Sequence, residues 1–289
     1  MKPAEELGIG LMVRFGEDPA TSFARLRAFG LEQCQLAAPP DDYLYGSIGR
    51  RNTDNLRKAI EEYGISVTSL FISFPNQRWE DAHNTVGLVP PTTRAERIAR
   101  ACRCADWARK LGVEQIAAHV GWVPEDADDP IYPGFVAAMR GLCLFLAENE
   151  QVLAYETGQE SIAVLARMIR DIGVDNQRIN FDPANLLMYD RDDPMALVNT
   201  MGNLIVHVHC KDGCRPTTPG TLGCETPLGE GETNFLDLLK TMYRQGYRGP
   251  LTIEREIPAG PALDTDITHA VQLLTSLRTE MKSELKGVA

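Results

Sequence analysis

Three carboxylates and one imidazole stand at the ends of four strand-like segments in the second half of the chain. They are Glu156 in VLAYETGQES, Asp182 in INFDPANLL, His209 in IVHVHCKD and Glu254 in GPLTIERE. Carboxylate oxygens and an imidazole nitrogen suit a divalent cation. The pattern therefore predicts a site for one such ion, for which we expect Mn²⁺, with Mg²⁺, Co²⁺ or Zn²⁺ as alternatives.

Strand geometry indicates that these side chains converge. Side chains alternate along a strand, so Asn180 shares a face with Asp182, and Thr252 and Glu256 share a face with Glu254. A buried carboxylate is costly unless it is paired or bound to a metal. We expect no lysine near the three carboxylates, so a dication is needed to relieve their mutual repulsion.

The five histidines differ in their expected roles. His207 and His209 both point inward, and His209 lies nearer the strand end, so His209 is the predicted ligand and His207 a core residue one layer deeper. His119, at the end of IAAHVGW, is predicted to contact substrate, the alternative being a core or loop residue. His83 and His269 are expected on the surface.

Eight strand-then-helix units precede and surround these residues. Predicted strands cover 7–14, 31–38, 65–74, 113–121, 152–158, 178–184, 204–211 and 249–256; predicted helices lie near 18–29, 50–64, 91–112, 132–150, 160–173, 193–203, 234–246 and 262–285. Such alternation implies a parallel sheet, and eight repeats predict a closed (β/α)₈ TIM barrel, with residues 1–289 as a single domain. An open doubly wound sheet would need a glycine-rich phosphate turn after the first strand, where FGEDPA stands.

Two long loops and one glycine-rich turn belong to the same predicted face. The loops at 75–91 and 213–233 follow the third and seventh strands, where long loops often act as lids. Lys211 follows the predicted metal ligand and either contacts an anionic group or caps its strand. Gly229 and Gly231 form a tight turn into the seventh helix, whose N-terminus could also hold a phosphate.

The net charge and the hydropathy of the chain argue against nucleic-acid and membrane partners. The chain carries 29 basic and 40 acidic residues, a formal net charge of −11, which argues against nucleic-acid binding. No segment has the roughly 18 apolar residues of a membrane span, and MKPAEELG lacks the apolar stretch of a signal peptide. We expect a cytoplasmic protein with a small sugar as substrate and no nucleic-acid or membrane partner; whether it forms a homo-oligomer stays open.

The cysteines point to free thiols. Their number is odd, and several lie in apolar helix or strand patterns, where a thiol packs as a small hydrophobe. Cys210 and Cys214 are spaced as in some zinc sites, but Cys210 points away from the axis and a structural zinc site needs four closed ligands. The seven are Cys34, Cys102, Cys104, Cys143, Cys210, Cys214 and Cys224.

Taken in order, ETGQES, FDPAN, HVHCKD, PLGEGETNF and TIERE resemble the xylose isomerase-like TIM barrels, the sugar phosphate isomerase/epimerase family that includes ketohexose 3-epimerases and inosose isomerases. The resemblance covers nearly the whole chain. It implies that Glu156, Asp182, His209 and Glu254 bind one divalent metal and that the two Glu act as acid and base. In ketohexose epimerases a His often follows the Asp by three residues; Asn185 stands there in this chain.

The predicted ligand set suggests a mechanism. A metal held by two adjacent oxygens of a hydroxy-ketone acidifies the neighbouring C–H, one Glu removes that proton to give a cis-enediolate, and the other Glu returns a proton. Substrate contacts are expected from His119, Asn185, Lys211 and Asp212. The alternatives are a metal-dependent dehydratase of an inosose-like substrate, an endonuclease IV-like DNA repair enzyme, and a catalytically inactive binding barrel.

Overall fold

Eight parallel strands close into a barrel in this structure, a computed structural model that describes residues 6–16 and 18–286. The barrel strands are β1 (Ile9–Val13), β2 (Gln33–Ala37), β3 (Ser66–Ile72), β4 (Gln115–Ala118), β5 (Val152–Glu156), β6 (Gln177–Phe181), β7 (Ile205–Cys210) and β10 (Leu251–Ile253). Their order around the barrel is β1-β10-β7-β6-β5-β4-β3-β2, and every neighbouring pair is parallel. The predicted (β/α)₈ barrel is confirmed.

Each predicted helix is present, and three short helices occur that the sequence pattern did not indicate. The helices are α1 (Pro19–Ala28), α2 (Asp41–Leu44), α3 (Gly46–Glu62), α4 (Ala82–Thr85), α5 (Pro91–Lys110), α6 (Tyr132–Glu148), α7 (Ile162–Ile172), α8 (Pro183–Met188), α9 (Pro194–Met201), α10 (Phe235–Arg244) and α11 (Pro261–Lys286). Helix α7 shows local signals at both ends, since the Ser161 side chain accepts from the Val164 N–H and Gly173 ends the helix at φ +64°. None of the helices in the described residues has the length and apolar character that a membrane crossing requires.

Alternation along the strands separates an apolar layer from a polar interior. In β2, Cys34 and Leu36 are buried in the hydrophobic core, whereas Gln35 on the opposite face is buried among polar groups. The Gln35 amide donates to Ser69 Oγ at 3.1 Å and to Asn180 Oδ1 at 3.0 Å, which joins β2, β3 and β6. The barrel axis is therefore lined by hydrogen-bonded polar side chains below the predicted site.

The two long loops carry structure of their own. The loop after β7 contains an antiparallel pair, β8 (Asp212–Cys214) and β9 (Cys224–Thr226), which the sequence pattern did not indicate. The loop after β3 contains α4. Both loops contribute residues to the cavity at the carboxyl ends of the barrel strands, as expected for the catalytic face of this fold.

Candidate metal centre

The four predicted ligands lie together at the carboxyl ends of β5, β6, β7 and β10. One atom from each of them falls within 4.8 Å of the others, and all four residues are buried. The Nδ1 atom of His209 lies 3.0 Å from Glu156 Oε1, 3.2 Å from Glu254 Oε2 and 3.7 Å from Asp182 Oδ2. Among the described residues this is the one such group of His, Cys, Asp or Glu side chains.

A glutamine that the sequence analysis did not single out orients His209. The other ring nitrogen, Nε2, lies 2.7 Å from Gln35 Oε1. An amide oxygen only accepts, so Nε2 carries a hydrogen and Nδ1 is the nitrogen presented to the carboxylates. Hydrogen bonds of this kind fix the ring orientation of metal-binding histidines. No local motif marks Gln35, because it reaches His209 from a strand more than 170 residues away.

Unpartnered atoms in the cluster fit a cation. His209 Nδ1 and Asp182 Oδ2 are buried, and neither has a partner in hydrogen-bond geometry among the described residues. Buried polar atoms without partners are costly, and a metal ion between them would satisfy both. Three carboxylates and one imidazole are also a donor set that Mn²⁺ or Mg²⁺ accepts. These residues fit a divalent ion, and their assignment as ligands stays a prediction.

The two glutamates of the cluster differ in proton affinity. Burial raises the pKa of Glu156 to about 7, and the neighbouring His209 ring offsets this only in part. Burial acts in the same direction on Glu254, but His209, Lys211 and Arg14 outweigh it and hold the pKa of that carboxyl well below its usual range. In the metal-free protein Glu156 therefore takes up a proton more readily than Glu254 does.

Lys211 corrects the expectation that no lysine lies near the carboxylates. Its Nζ is 2.6 Å from Glu256 Oε2, 3.5 Å from Glu254 Oε2 and 3.6 Å from Asp182 Oδ2, and the side chain is 2% exposed. Burial lowers the pKa of Lys211, but the carboxylates of Asp182 and Glu254 outweigh burial and hold that pKa well above its usual value, so the ammonium stays charged. The signal was present in the sequence, since Lys211 follows His209 by two residues and shares its inward face.

Two of the other predicted substrate contacts line the cavity. His119 is buried, its Nδ1 accepts from the Gly121 N–H at 3.2 Å, and its Nε2 has no partner among the described atoms. Burial lowers the pKa of His119 to about 4, so the ring is neutral at pH 7. The Asn185 N–H donates to Asp182 Oδ1 at 3.0 Å, and its Oδ1 lies 3.5 Å from Lys211 Nζ. Both residues face the space above the carboxylates.

Asp212, in contrast, is not among the residues that line the cavity. Its carboxylate accepts from the Gly229 N–H at 2.9 Å and from the backbone and hydroxyl of Thr233 at 3.2 and 2.7 Å. A Cβ at Gly231 would approach Asp212 Oδ1 to 2.2 Å, so only glycine fits there. We therefore assign Asp212 to the folding of the loop after β7. The glycine-rich turn wraps this carboxylate.

The remaining histidines occupy the expected places. The strand register pairs Asn180 with His207 and His209 with Thr252, which places His207 below His209. The Nε2 atom of His207 lies 2.7 Å from Thr252 Oγ1 in the fully buried interior. The side chains of His83 and His269 are exposed.

The cavity above the cluster has a volume of about 460 Å³, within the range usual for small-molecule sites. Trp79 from the loop after β3 and Leu222 from the loop after β7 line its mouth, and they are 55% and 56% exposed. Trp79 contacts His119 edge-to-face, with 5.5 Å between ring centroids. Arg14, which the sequence analysis missed, lines the same cavity and lies 3.6 Å from Glu254 Oε1. The cavity thus joins a charged floor to an aromatic and aliphatic mouth.

Comparisons with known proteins agree with this architecture. The family described as "Xylose isomerase-like TIM barrel" matches residues 23–277. The crystal structure of a xylose isomerase domain protein from Planctomyces limnophilus is 32% identical, with a TM-score of 0.88 over 96% of this chain and 99% of that one. No curated protein sequence matches the chain.

Two more distant structures share the fold at 16% identity. A xylose isomerase-like TIM barrel protein from Mycobacterium smegmatis, in complex with magnesium, has a TM-score of 0.70 over 94% of this chain and 97% of that one. The 3-keto-D-glucoside 4-epimerase from E. coli has a TM-score of 0.68 over 94% of this chain and 100% of its own.

Proposed function

We propose, since this chain belongs to the xylose isomerase-like TIM-barrel family, that it is a divalent-metal-dependent isomerase or epimerase of a small sugar or polyol ketone. The observation that carries the proposal is the buried cluster of Glu156, Asp182, His209 and Glu254 beneath a cavity open to the solvent. The epimerase activity named for the E. coli structure supports this reaction class. The metal, Mn²⁺ by preference, would be held by these four side chains.

The two glutamates perform the proton transfers in this proposal. One of them, as the carboxylate, removes a proton from the carbon next to the substrate carbonyl. The other returns a proton to the substrate. Return on the opposite face of the same carbon is epimerisation, and return at the neighbouring carbon is isomerisation. The bound dication would supply Lewis acidity that polarises the carbonyl and stabilises developing negative charge.

The charges around the cavity favour an unphosphorylated substrate. Lys211 already pairs with Glu256 at 2.6 Å, and Arg14 faces Glu254 and Glu256 at 3.6 Å. A phosphate group would have to displace these carboxylates to reach either cation. We therefore infer a neutral substrate, whose hydroxyl groups Lys211, Asn185 and His119 bind through hydrogen bonds.

Solvent-exchange measurements test the reaction. Metal-free protein is reloaded with Mn²⁺ and incubated in D₂O with neutral ketoses, keto-glycosides and inososes, each beside its phosphate ester. We expect one neutral compound to be converted with deuterium entering at the carbon next to the carbonyl, and expect chelation to abolish turnover. Preference for a phosphate ester would overturn the neutral-substrate inference alone.

Three other results would overturn the proposed reaction. A dehydrated product with loss of a hydroxyl would assign the chain to the dehydratases. With a substrate that carries deuterium next to its carbonyl, retention of that deuterium at the neighbouring carbon would indicate a hydride shift and exclude the two-carboxylate mechanism. Cleavage of DNA at abasic sites, with no ketose converted, would favour the endonuclease alternative.

A further inference from the structure

Two thiols face each other in the loop after β7, outside the metal cluster. Cys214 in β8 and Cys224 in β9 are directly opposed in the antiparallel pair. Directly opposed residues in such a pair have Cα atoms about 4.5–5.5 Å apart, which lies within the span of a disulfide. Cys224 is exposed and Cys214 partly exposed, so both are accessible to a small reagent.

The other five thiols offer no comparable pair. Four are buried, and Cys102 on α5 is partly exposed. Burial raises the pKa of the Cys104 and Cys143 thiols to about 11, which disfavours the reactive thiolate. The loop after β7 therefore holds the accessible dithiol among the described residues.

We propose that Cys214 and Cys224 form a reversible disulfide in the presence of a small disulfide oxidant such as oxidised glutathione, and that this bond restrains the segment 215–223 over the cavity. The bond would close a ring around that segment, which contains Leu222. The adjoining Gly223 N–H donates to the Met188 carbonyl at 2.8 Å, and Met188 also lines the cavity. The proposal does not depend on which reaction the cavity supports.

The exchange proceeds in two balanced steps. The Cys224 thiolate attacks one sulfur of oxidised glutathione, forms a mixed disulfide and releases one glutathione thiolate. The Cys214 thiol loses its proton to water and attacks the Cys224 sulfur, which releases the second glutathione. The two cysteines lose two electrons and two protons overall, and one oxidised glutathione becomes two thiols.

Mass analysis of the tryptic peptide tests the bond itself. Residues 212–240 form one tryptic peptide, because Arg215 is followed by proline, and this peptide contains both cysteines. After the protein is treated with oxidised glutathione and then alkylated, we expect this peptide to be two hydrogens lighter than its reduced form and to carry no alkyl label. After reduction it should take up two alkyl labels. The Cys102→Ser variant should behave like wild type. In Cys214→Ser the peptide should instead retain one glutathione on Cys224. A stable glutathione adduct on wild-type Cys224, or two labelled thiols, would overturn the proposal.

Native proteolysis tests the restraint of the segment. Leu222 is 56% exposed and is the one residue between the two cysteines that chymotrypsin favours. We expect cleavage after Leu222 to become several-fold slower in the oxidised protein and to recover fully on reduction. In Cys102→Ser the same change should occur, and in Cys224→Ser it should disappear. An unchanged cleavage rate in oxidised wild-type protein would show that the bond does not restrain the segment.

Discussion

The floor and the mouth of the cavity are built in different ways. The floor consists of side chains at strand ends, which are buried and tied to other strands, as His209 is to Gln35. The mouth consists of loop residues such as Trp79 and Leu222, which are more than half exposed. Strand register fixes the positions of the floor side chains, whereas loop conformation sets those of the mouth residues. We expect the floor to carry the chemistry and the mouth to affect access and substrate fit. Substitutions should separate these two roles.

The largest effect is expected from the floor glutamates. Glu156→Gln and Glu254→Gln keep size and one ligand oxygen but remove the proton-transfer group, so kcat should fall by about 10² to 10⁴. Glu148→Gln, on the outer surface of α6, is the matched control and should be neutral. Steady-state kinetics and metal analysis of each variant measure the difference. Near-normal kcat in either floor variant would remove that residue from the mechanism.

Substitution of the two interior histidines should affect different properties, metal affinity for His209 and stability for His207. His209→Ala should lose metal affinity and keep its fold, because it removes the nitrogen that faces the carboxylates. His207→Ala should bind metal normally but lose about 2–4 kcal/mol of unfolding free energy, through a cavity and the unpaired Thr252 hydroxyl. Calorimetric titration and denaturant unfolding measure both quantities. The reverse pattern would mean that the ligand is His207.

Gln35 should act on metal affinity without touching the metal. Gln35→Met keeps the shape but removes the acceptor for His209 Nε2, so affinity should fall by about 10- to 100-fold. Gln151→Met is the control, since the side chain of that buried glutamine donates to the backbone carbonyls of Ala105 and Val113, outside the cluster. It should lower stability and leave affinity unchanged. Equal affinities for the two variants would argue against an orienting role for Gln35.

Metal affinity should fall as the pH is lowered. Burial raises the pKa of Glu156 to about 7 in the metal-free protein, so protons compete with the metal below that pH. Affinity should fall as pH falls through 7, by up to about tenfold per unit for each displaced proton. Titration calorimetry in two buffers of different ionisation enthalpy counts the protons released. Binding that releases no proton near pH 7 would contradict the raised pKa.

The mouth should show the smallest effect. Trp79→Ala removes an aromatic contact with His119 and part of the cavity wall. The fall in kcat/KM should correspond to a loss of about 0.5–1.5 kcal/mol of transition-state stabilisation, mostly through a higher KM. Leu144→Ala, an exposed position on α6, is the control. A loss in kcat as large as that of the glutamate variants would mean that the mouth takes part in the chemistry.

The barrel and the convergence of the four candidate ligands could be predicted from the sequence, because strand alternation and strand-end position are local properties. The sequence pattern did not indicate Gln35 and Arg14, because their roles arise from barrel closure between residues distant in the chain. It did not indicate that the Asp212 carboxylate turns toward Gly229, since proximity to His209 along the chain does not reveal that contact. The hairpin of β8 and β9 was missed because its two strands have three residues each.

If the cluster binds an ion as proposed, the contact between Gln35 and His209 links that binding to closure of the barrel. Gln35 lies on β2, in the half of the barrel that supplies no candidate ligand, so the cluster is complete only when both halves are closed. An ion that binds only this closed state would stabilise it by about 2.7 kcal/mol at a hundredfold excess over its Kd. Metal starvation would then lower the abundance of the protein as well as its turnover, because unfolded chains are removed by proteolysis.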